Sequence, residues 1–314
     1  MARIEHGHVP VLLEEIVETL APKPGDVVVD CTLGRGGHAL AMGRRIGSEG
    51  LIIGIDRDPD NLTYARSRLD EEGIPCHTIH DSFVAITRHL AKLDRRVDVI
   101  LADLGVSSNQ LDTSTRGFGF QDDSPLDMRL DHSGNCEDAQ KLLARISQQE
   151  LTELIRTYGE DPFAAAIARK IVIARETEPI KTTRQLSDLV KAAYGPKAHS
   201  SRVHPATRTF MALRIAINEE IPALETLLDL ISRGCEKASR DGWINQNARI
   251  GIISFHSLED RPVKQAFARW QKQGLTTGLT SGVVRPGEAE INANPRSRSA
   301  KFRAVQVTGP NRPK

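Results

Sequence analysis

Three acidic residues each close a run of apolar, largely β-branched sequence. Asp30 follows Val27-Val28-Val29, Asp56 follows Leu51-Ile52-Ile53-Gly54-Ile55, and Asp103 follows Val97-Asp98-Val99-Ile100-Leu101-Ala102. The first acid leads into Cys31-Thr32-Leu33-Gly34-Arg35-Gly36-Gly37-His38. A glycine-rich turn between strand and helix admits backbone angles closed to other residues and lets a ligand approach the main chain. The helix start adds unpaired N–H groups and a partial positive charge. Such a loop either cradles a nucleotide or is simply a tight turn. Asp56 lies 20 residues beyond Gly36, where an acid suits the two hydroxyls of an adenosine ribose.

That spacing fits both NAD and S-adenosylmethionine. The loop, however, reads Gly-x-Gly-Gly and lacks the Gly-x-Gly-x-x-Gly spacing of dinucleotide folds. Asp30 and Asp103 beside it would repel a pyrophosphate and attract an ammonium or a sulfonium. The acids therefore favour zwitterionic S-adenosylmethionine. Taken singly, each acid reads equally as the N-cap of a β–α turn.

The surrounding sequence places these acids. Apolar residues at 9, 12, 13, 16, 17 and 20 predict a helix over 9–20, with Pro10 in its first turn. Strands are predicted at 27–30, 51–56, 75–79 and 97–103, with helices from 39, over 61–69 and up to 93. Four β–α repeats with apolar strands predict a parallel, doubly wound α/β sheet. Ligands of such sheets sit outside the carboxyl ends of the strands, where all three acids fall.

The alternation then stops. Residues 104–119 are rich in Gly, Ser, Asp and Thr and read as an ordered functional loop. Helical patterns follow over 139–146, 149–158, 163–175 and 183–193. Residues 110–205 are accordingly read as a helical domain inserted into a sheet domain of residues 1–109 and 206–314. Beyond it we expect a helix over 208–235 broken near Pro222, a strand over 248–255 and a helix over 262–270. A mobile Gly- and Thr-rich loop over 275–295 and an edge strand over 302–307 complete the reading.

Composition narrows the function. Lys plus Arg is 42 and Asp plus Glu is 41, so the chain is not a globally basic nucleic-acid binder. Basic residues do cluster locally, at Arg202, His204, Arg208 and Arg214 and again at Arg296, Arg298, Lys301 and Arg303. Either group could hold phosphates or form a solvated charged face. Aromatic residues are only 4% of the chain, which argues against a stacking platform for single strands. The four cysteines include no C-x-x-C pair, so neither a metal site nor a disulfide framework is expected. Residues 1–8 are polar and no apolar run reaches membrane-spanning length. The expectation is a soluble, cytoplasmic protein without membrane contact.

The sequence is similar to the MraW family of ribosomal RNA small-subunit methyltransferases. The resemblance rests on the segment from Asp30 to His38, on Asp56-Arg-Asp-Pro59, and on Asp103-Leu-Gly-Val-Ser-Ser108. It continues through Arg116-Gly-Phe-Gly-Phe120, Pro125-Leu-Asp-Met-Arg129, Tyr158-Gly-Glu160 and His204-Pro-Ala-Thr-Arg-Thr209. It ends with Ser254-Phe-His-Ser-Leu-Glu-Asp-Arg261 and Asn294-Pro-Arg-Ser-Arg-Ser299. These motifs run in order along nearly the whole chain.

The resemblance implies a Rossmann-like class I methyltransferase sheet with an inserted helical substrate domain. It implies methyl transfer from S-adenosylmethionine to N4 of a cytidine at the decoding centre of small-subunit (16S) ribosomal RNA. Cofactor contacts carried over by position are Gly36, Gly37, His38, Asp56, Phe83, Asp103 and Gln110. Arg208, His256 and Arg298 are the expected RNA contacts. Many amino-methyltransferases carry an Asp/Asn-Pro-Pro-aromatic segment after the fourth strand; here the segment is Asp103-Leu-Gly-Val, and no general base is named. Ala216 stands where some relatives carry an aromatic residue. A nicotinamide-dependent oxidoreductase and a non-catalytic ribosome-assembly factor are the competing readings. Oligomeric state, monomer or homodimer, is left open.

Overall fold

A computed structural model describes residues 10–120, 122–134, 136–198 and 203–309. The chain divides into two compact units, one of residues 1–105 with 221–314 and one of residues 106–220.

The first unit opens with α1 (Leu13–Leu20), β1 (Val27–Asp30), α2 (Gly37–Ile46), β2 (Leu51–Asp56), α3 (Pro59–Glu71), β3 (Cys76–His80), α4 (Ile86–Leu93) and β4 (Val97–Asp103). The second unit holds α5 (Ser108–Asp112), α6 (Ala139–Arg145), α7 (Gln148–Gly159), α8 (Ala164–Thr177), α9 (Thr183–Tyr194) and α10 (Ala206–Asn218). The first unit resumes with α11 (Glu220–Glu236), β5 (Ile244–Ser254), α12 (Ser257–Lys272), β6 (Thr276–Gly278), α13 (Glu288–Ala293) and β7 (Lys301–Val307).

Seven strands form one sheet in the order β3-β2-β1-β4-β5-β7-β6. β1 to β5 are mutually parallel, and β7 runs antiparallel to both of its neighbours. Side chains alternate across the sheet with period two. Val28 accordingly packs with α1, α2 and α3 residues such as Ile16, Met42 and Leu62. Val29, one residue on, packs on the other face with Leu90, Leu227 and Phe267 of α4, α11 and α12. Burial on both faces is why these strands read as continuous apolar runs. Asp30 pairs in register with Gly54 and Leu101, and Asp103 with Ile253. The carboxyl ends of the parallel strands thus stop together.

The second unit has its own core, including Leu151, Ile155, Ile167, Ile171, Leu186, Val190, Phe210 and Leu213. α7 and α9 begin with reciprocal caps, Ser147 with Glu150 and Thr182 with Gln185.

Several boundaries differ from expectation. α10 packs against α7 and α9, so the second boundary between units falls at Glu220 and not at 205. The helical pattern breaks at Glu219, whose φ is 53°. Pro222 sits in the first turn of α11, where a missing N–H costs nothing. α1 starts at Leu13 because Leu12 takes a left-handed φ of 54° and gives its N–H to Glu290 Oε1 at 2.9 Å. Pro10 therefore precedes the helix, and Val9 lies outside the described residues. β5 starts four residues early, at Ile244, and α12 starts at Ser257 with Pro262 inside it. The segment expected as a loop over 275–295 contains β6 and α13. β6 is the edge strand, and β7, expected at the edge, lies between it and β5. A three-residue edge strand offers little backbone to foreign strands.

Candidate functional site

The rim at the strand carboxyl ends gathers several of the residues singled out in the sequence. Following the sheet order, it presents Phe83 beyond β3, Asp56 on β2, Asp30 on β1, Asp103 on β4 and His256 beyond β5.

The loop after β1 is stitched to the strands on either side. Cys31 N donates to Leu101 O at 2.8 Å and Leu33 N to Ile55 O at 2.9 Å. Gly34 N donates to Asp56 Oδ2 at 2.7 Å. Thr32 Oγ1 accepts from Asp103 N at 2.6 Å. The two key glycines are needed for different reasons. Gly36 has φ 73°, and a Cβ there would lie 3.0 Å from Ala65 Cβ. Gly37 has an ordinary φ, but a Cβ would lie 2.3 Å from Pro10 Cγ. Its smallness admits a neighbouring chain segment.

Both oxygens of Asp56 are engaged. Oδ2 receives Gly34 N and Oδ1 receives Asp58 N at 2.8 Å. Burial nevertheless pushes its pKa up to about 6, against the pull of the Asp58 and Gly34 amides. Asp30 is 2% exposed. Burial raises it to about 7, opposed by the Thr32 amide and assisted by the Asp56 charge. Asp103 is raised to about 8 by burial, then by Asp30 and Glu259. Its Oδ1 is buried and makes no hydrogen bond among the described residues. Three acids share this rim, and burial raises the pKa of each.

His38 is buried, and its Nε2 lies 2.9 Å from Val11 O. A carbonyl only accepts, so the proton sits on Nε2. Burial lowers the pKa of the ring to about 4. His38 Nδ1 lies 3.9 Å from Asp103 Oδ2. Phe83 is partly buried on a short 3-10 turn, Phe83–Ala85, and packs on the α4 face of the sheet.

His256 precedes α12. Its Nε2 lies 3.2 Å from Glu259 Oε1, off line for a hydrogen bond, and neither ring nitrogen has an aligned partner among the described residues. Glu259 is 2% exposed, and its other oxygen accepts Phe255 N at 2.7 Å. The sequence reading missed Glu259. Its signal was the three-residue spacing from His256 at a helix start, which places both on one face.

The remaining expected contacts are Gln110, Arg208 and Arg298. Gln110 belongs to the second unit, buried in α5, and its Oε1 accepts Ser107 N at 3.0 Å. Its amide oxygen caps its own helix. Arg208 also belongs to the second unit, not to the sheet domain as expected; it is exposed and donates to Glu160 O at 2.9 Å. Arg298 is exposed on the 3-10 turn Pro295–Ser299. Its supposed companions are committed: Arg303 and Lys301 reach Asp260 at 2.8 and 3.5 Å. Arg214 holds Glu220 through two contacts of 2.8 Å. Arg202 lies outside the described residues. No described helix is long and apolar enough to cross a membrane.

Residues 5–308 match a sequence model described as the MraW methylase family. The chain is 42% identical over 318 residues to the Ribosomal RNA small subunit methyltransferase H of Symbiobacterium thermophilum, covering 95% of this chain and 96% of that protein. It is 43% identical to the protein of that name from Syntrophotalea carbinolica, over 98% of this chain and 99% of the relative. The Clostridioides difficile protein of the same name is 39% identical, over 96% and 99% of the two chains.

Proposed function

The chain belongs to the MraW methylase family, and we propose that it methylates N4 of a cytidine in small-subunit ribosomal RNA, using S-adenosylmethionine, at the decoding centre. One observation carries the cofactor reading. Asp30, Asp56 and Asp103 share a rim, all with raised pKa values, and Asp103 Oδ1 is buried without a hydrogen-bond partner among the described residues. Such a rim fits a ligand carrying positive charge and opposes a pyrophosphate, which disfavours the nicotinamide reading. S-adenosylmethionine, when bound, supplies an electrophilic methyl group on a sulfonium.

The chain's own residues bind and orient. Asp56 has lone pairs left for ribose hydroxyls after serving Gly34 and Asp58. Asp103 and Asp30 offset an ammonium, and Phe83 gives adenine an apolar flank. His38 holds the start of α2 through Val11 and makes no direct contact in this reading. Gln110 supports its loop through the Ser107 cap.

The exocyclic amine of cytosine is a poor nucleophile because its lone pair is delocalised into the ring. Acceptors on its two hydrogens localise that pair, and alignment with the methyl group does the rest. His256 follows β5, the strand beside β4, and its ring nitrogens make no hydrogen bond among the described residues, so it supplies one acceptor. Exposed Arg208 and Arg298 contact phosphates, which position RNA without reading its sequence. The helical unit is the substrate-recognition part of this reading, and the reaction belongs in the cytoplasm, where small subunits are made.

The deciding experiment is transfer of radiolabelled methyl groups to unmethylated small subunits, followed by nucleoside analysis. Label in N4-methylcytidine is expected. Tight binding to the subunit with no label would instead support a non-catalytic assembly factor.

A further inference from the structure

The second unit gathers aromatic residues that are scarce in the chain as a whole. Phe163 and Tyr194 lie 4.4 Å apart with a 43° tilt. Phe120 stacks on His204 at 4.4 Å and meets Phe210 edge-on at 5.1 Å. Phe163, Tyr194, Lys197, Val203, His204 and Arg208 line a cavity of about 300 Å³. Its walls are fixed from behind. Tyr194 donates its hydroxyl proton to Asp161 Oδ2 at 2.8 Å. His204 Nδ1 accepts Ala206 N at 3.2 Å, so the neutral ring carries its proton on Nε2 as a donor. Lys197 Nζ stands 5.3 Å from the Phe163 ring centre, and exposed Arg208 stands at the start of α10. Val203 keeps 55% of its surface exposed.

We propose that this cavity receives one unstacked nucleotide of single-stranded RNA, its base against the Phe163–Tyr194 pair and its phosphate between Lys197 and Arg208. The proposal rests on the reading of RNA as the substrate. An apolar wall beside two cations and a neutral imidazole donor complements a nucleotide, which is itself an aromatic plane tethered to an anion. A bare phosphate would leave the aromatic wall unused, and an apolar peptide would offer the two cations no counter-charge. The volume falls at the small end of the range for compact ligands. The low aromatic content that argued against a stacking platform is thus misleading, because the few rings available converge on one place.

The test is equilibrium binding and photo-crosslinking of the full chain with a single-stranded small-subunit RNA fragment containing 4-thiouridine. Crosslinks are expected on Phe163 or Tyr194. The double variant Lys197→Gln, Arg208→Gln should bind the fragment about tenfold more weakly. Its slope of log affinity against log salt should fall by about 1.4, the value for two single-strand phosphates. Its S-adenosylmethionine affinity should be unchanged. Tyr194→Phe keeps the ring and should bind normally. Wild-type affinity and slope in the double variant, or crosslinks confined to residues 1–105 and 221–314, would overturn the proposal. Methyl transfer to small subunits by the wild-type chain, run alongside, separates failure of the cavity from failure of the RNA reading.

Discussion

His38 Nδ1 and Asp103 Oδ2 stand 3.9 Å apart, and both side chains are predominantly neutral near pH 7. Burial holds the histidine down at about 4 and the acid up at about 8. At that distance they form no ion pair; the histidine presents a lone pair and the acid retains its proton. The Asp103 side chain keeps 27% of its surface exposed, so the rim stays open to a ligand that would ionise it.

A pH dependence follows. Between about pH 6.5 and 8 the fold retains protons on Asp30 and Asp103 that the unfolded chain has already lost. Stability therefore falls as pH rises through that window. Below pH 6.5 His38 acts in the opposite sense, since the unfolded chain would protonate it and the fold resists until about pH 4. Melting midpoints of the protein alone should decline from pH 6.5 to 8.5. S-adenosylmethionine affinity should rise over the same interval, with protons released on binding. Calorimetry in buffers of different ionisation enthalpy reads that release; a flat profile would show that the acids are already ionised.

Asp56→Ala should weaken S-adenosylmethionine binding by about 1.5–3 kcal/mol, the range for hydrogen bonds to a charged group. The same change removes the acceptor for Gly34 N, so amide exchange at Gly34 should quicken. Unchanged affinity in a titration would exclude Asp56 from the site.

Gly37→Ala places a methyl group against Pro10. Overpacking of this kind costs about 1–3 kcal/mol. Pro10→Ala made in the same chain should recover most of the loss. A thermal melt of the single and double variants checks the coupling. Failure of the second change to rescue would show that the Pro10 contact is not what Gly37 protects.

Arg298 and Arg303 are near in sequence and should behave differently. Arg298→Ala should lower the salt slope of RNA binding by about 0.7–0.9, the share of one phosphate. Arg303→Ala breaks a half-buried contact with Asp260 and should lower the melting midpoint while leaving the slope intact. Identical salt slopes for Arg298→Ala and the wild type would mean that Arg298 is an ordinary surface charge.

The strand-end acids were legible because two simple signals coincide: a β-branched run and a carboxylate at its end. Burial on both sheet faces made β1, β2 and β4 stand out from their surroundings. β6 was not legible, since Thr276-Thr277-Gly278 pairs only because β7 is already in place. The start of α1 was misread for a similar reason: the left-handed turn at Leu12 is bonded to Glu290, 278 residues away. Local pattern carries no trace of such a partner. The commitment of Lys301 and Arg303 to Asp260 was equally invisible, because their charges look the same in sequence as that of exposed Arg298. The aromatic cavity escaped because composition averages over the whole chain, whereas the fold concentrates its rings.

The pairing of β4 with β5 sets an order of events in folding. Asp103 aligns with Ile253, 150 residues later, while every helix from α5 to α10 is drawn from the continuous stretch between them. Contacts that close long loops form late, because their entropy cost comes before their reward. On the ribosome, β1 to β4 emerge first, with one flank of β4 unpaired. The helical unit can complete its own core while that edge waits. The strand that carries Asp103 gains its second partner only when β5 docks, so a fully paired β4 marks a chain whose two distant stretches have met.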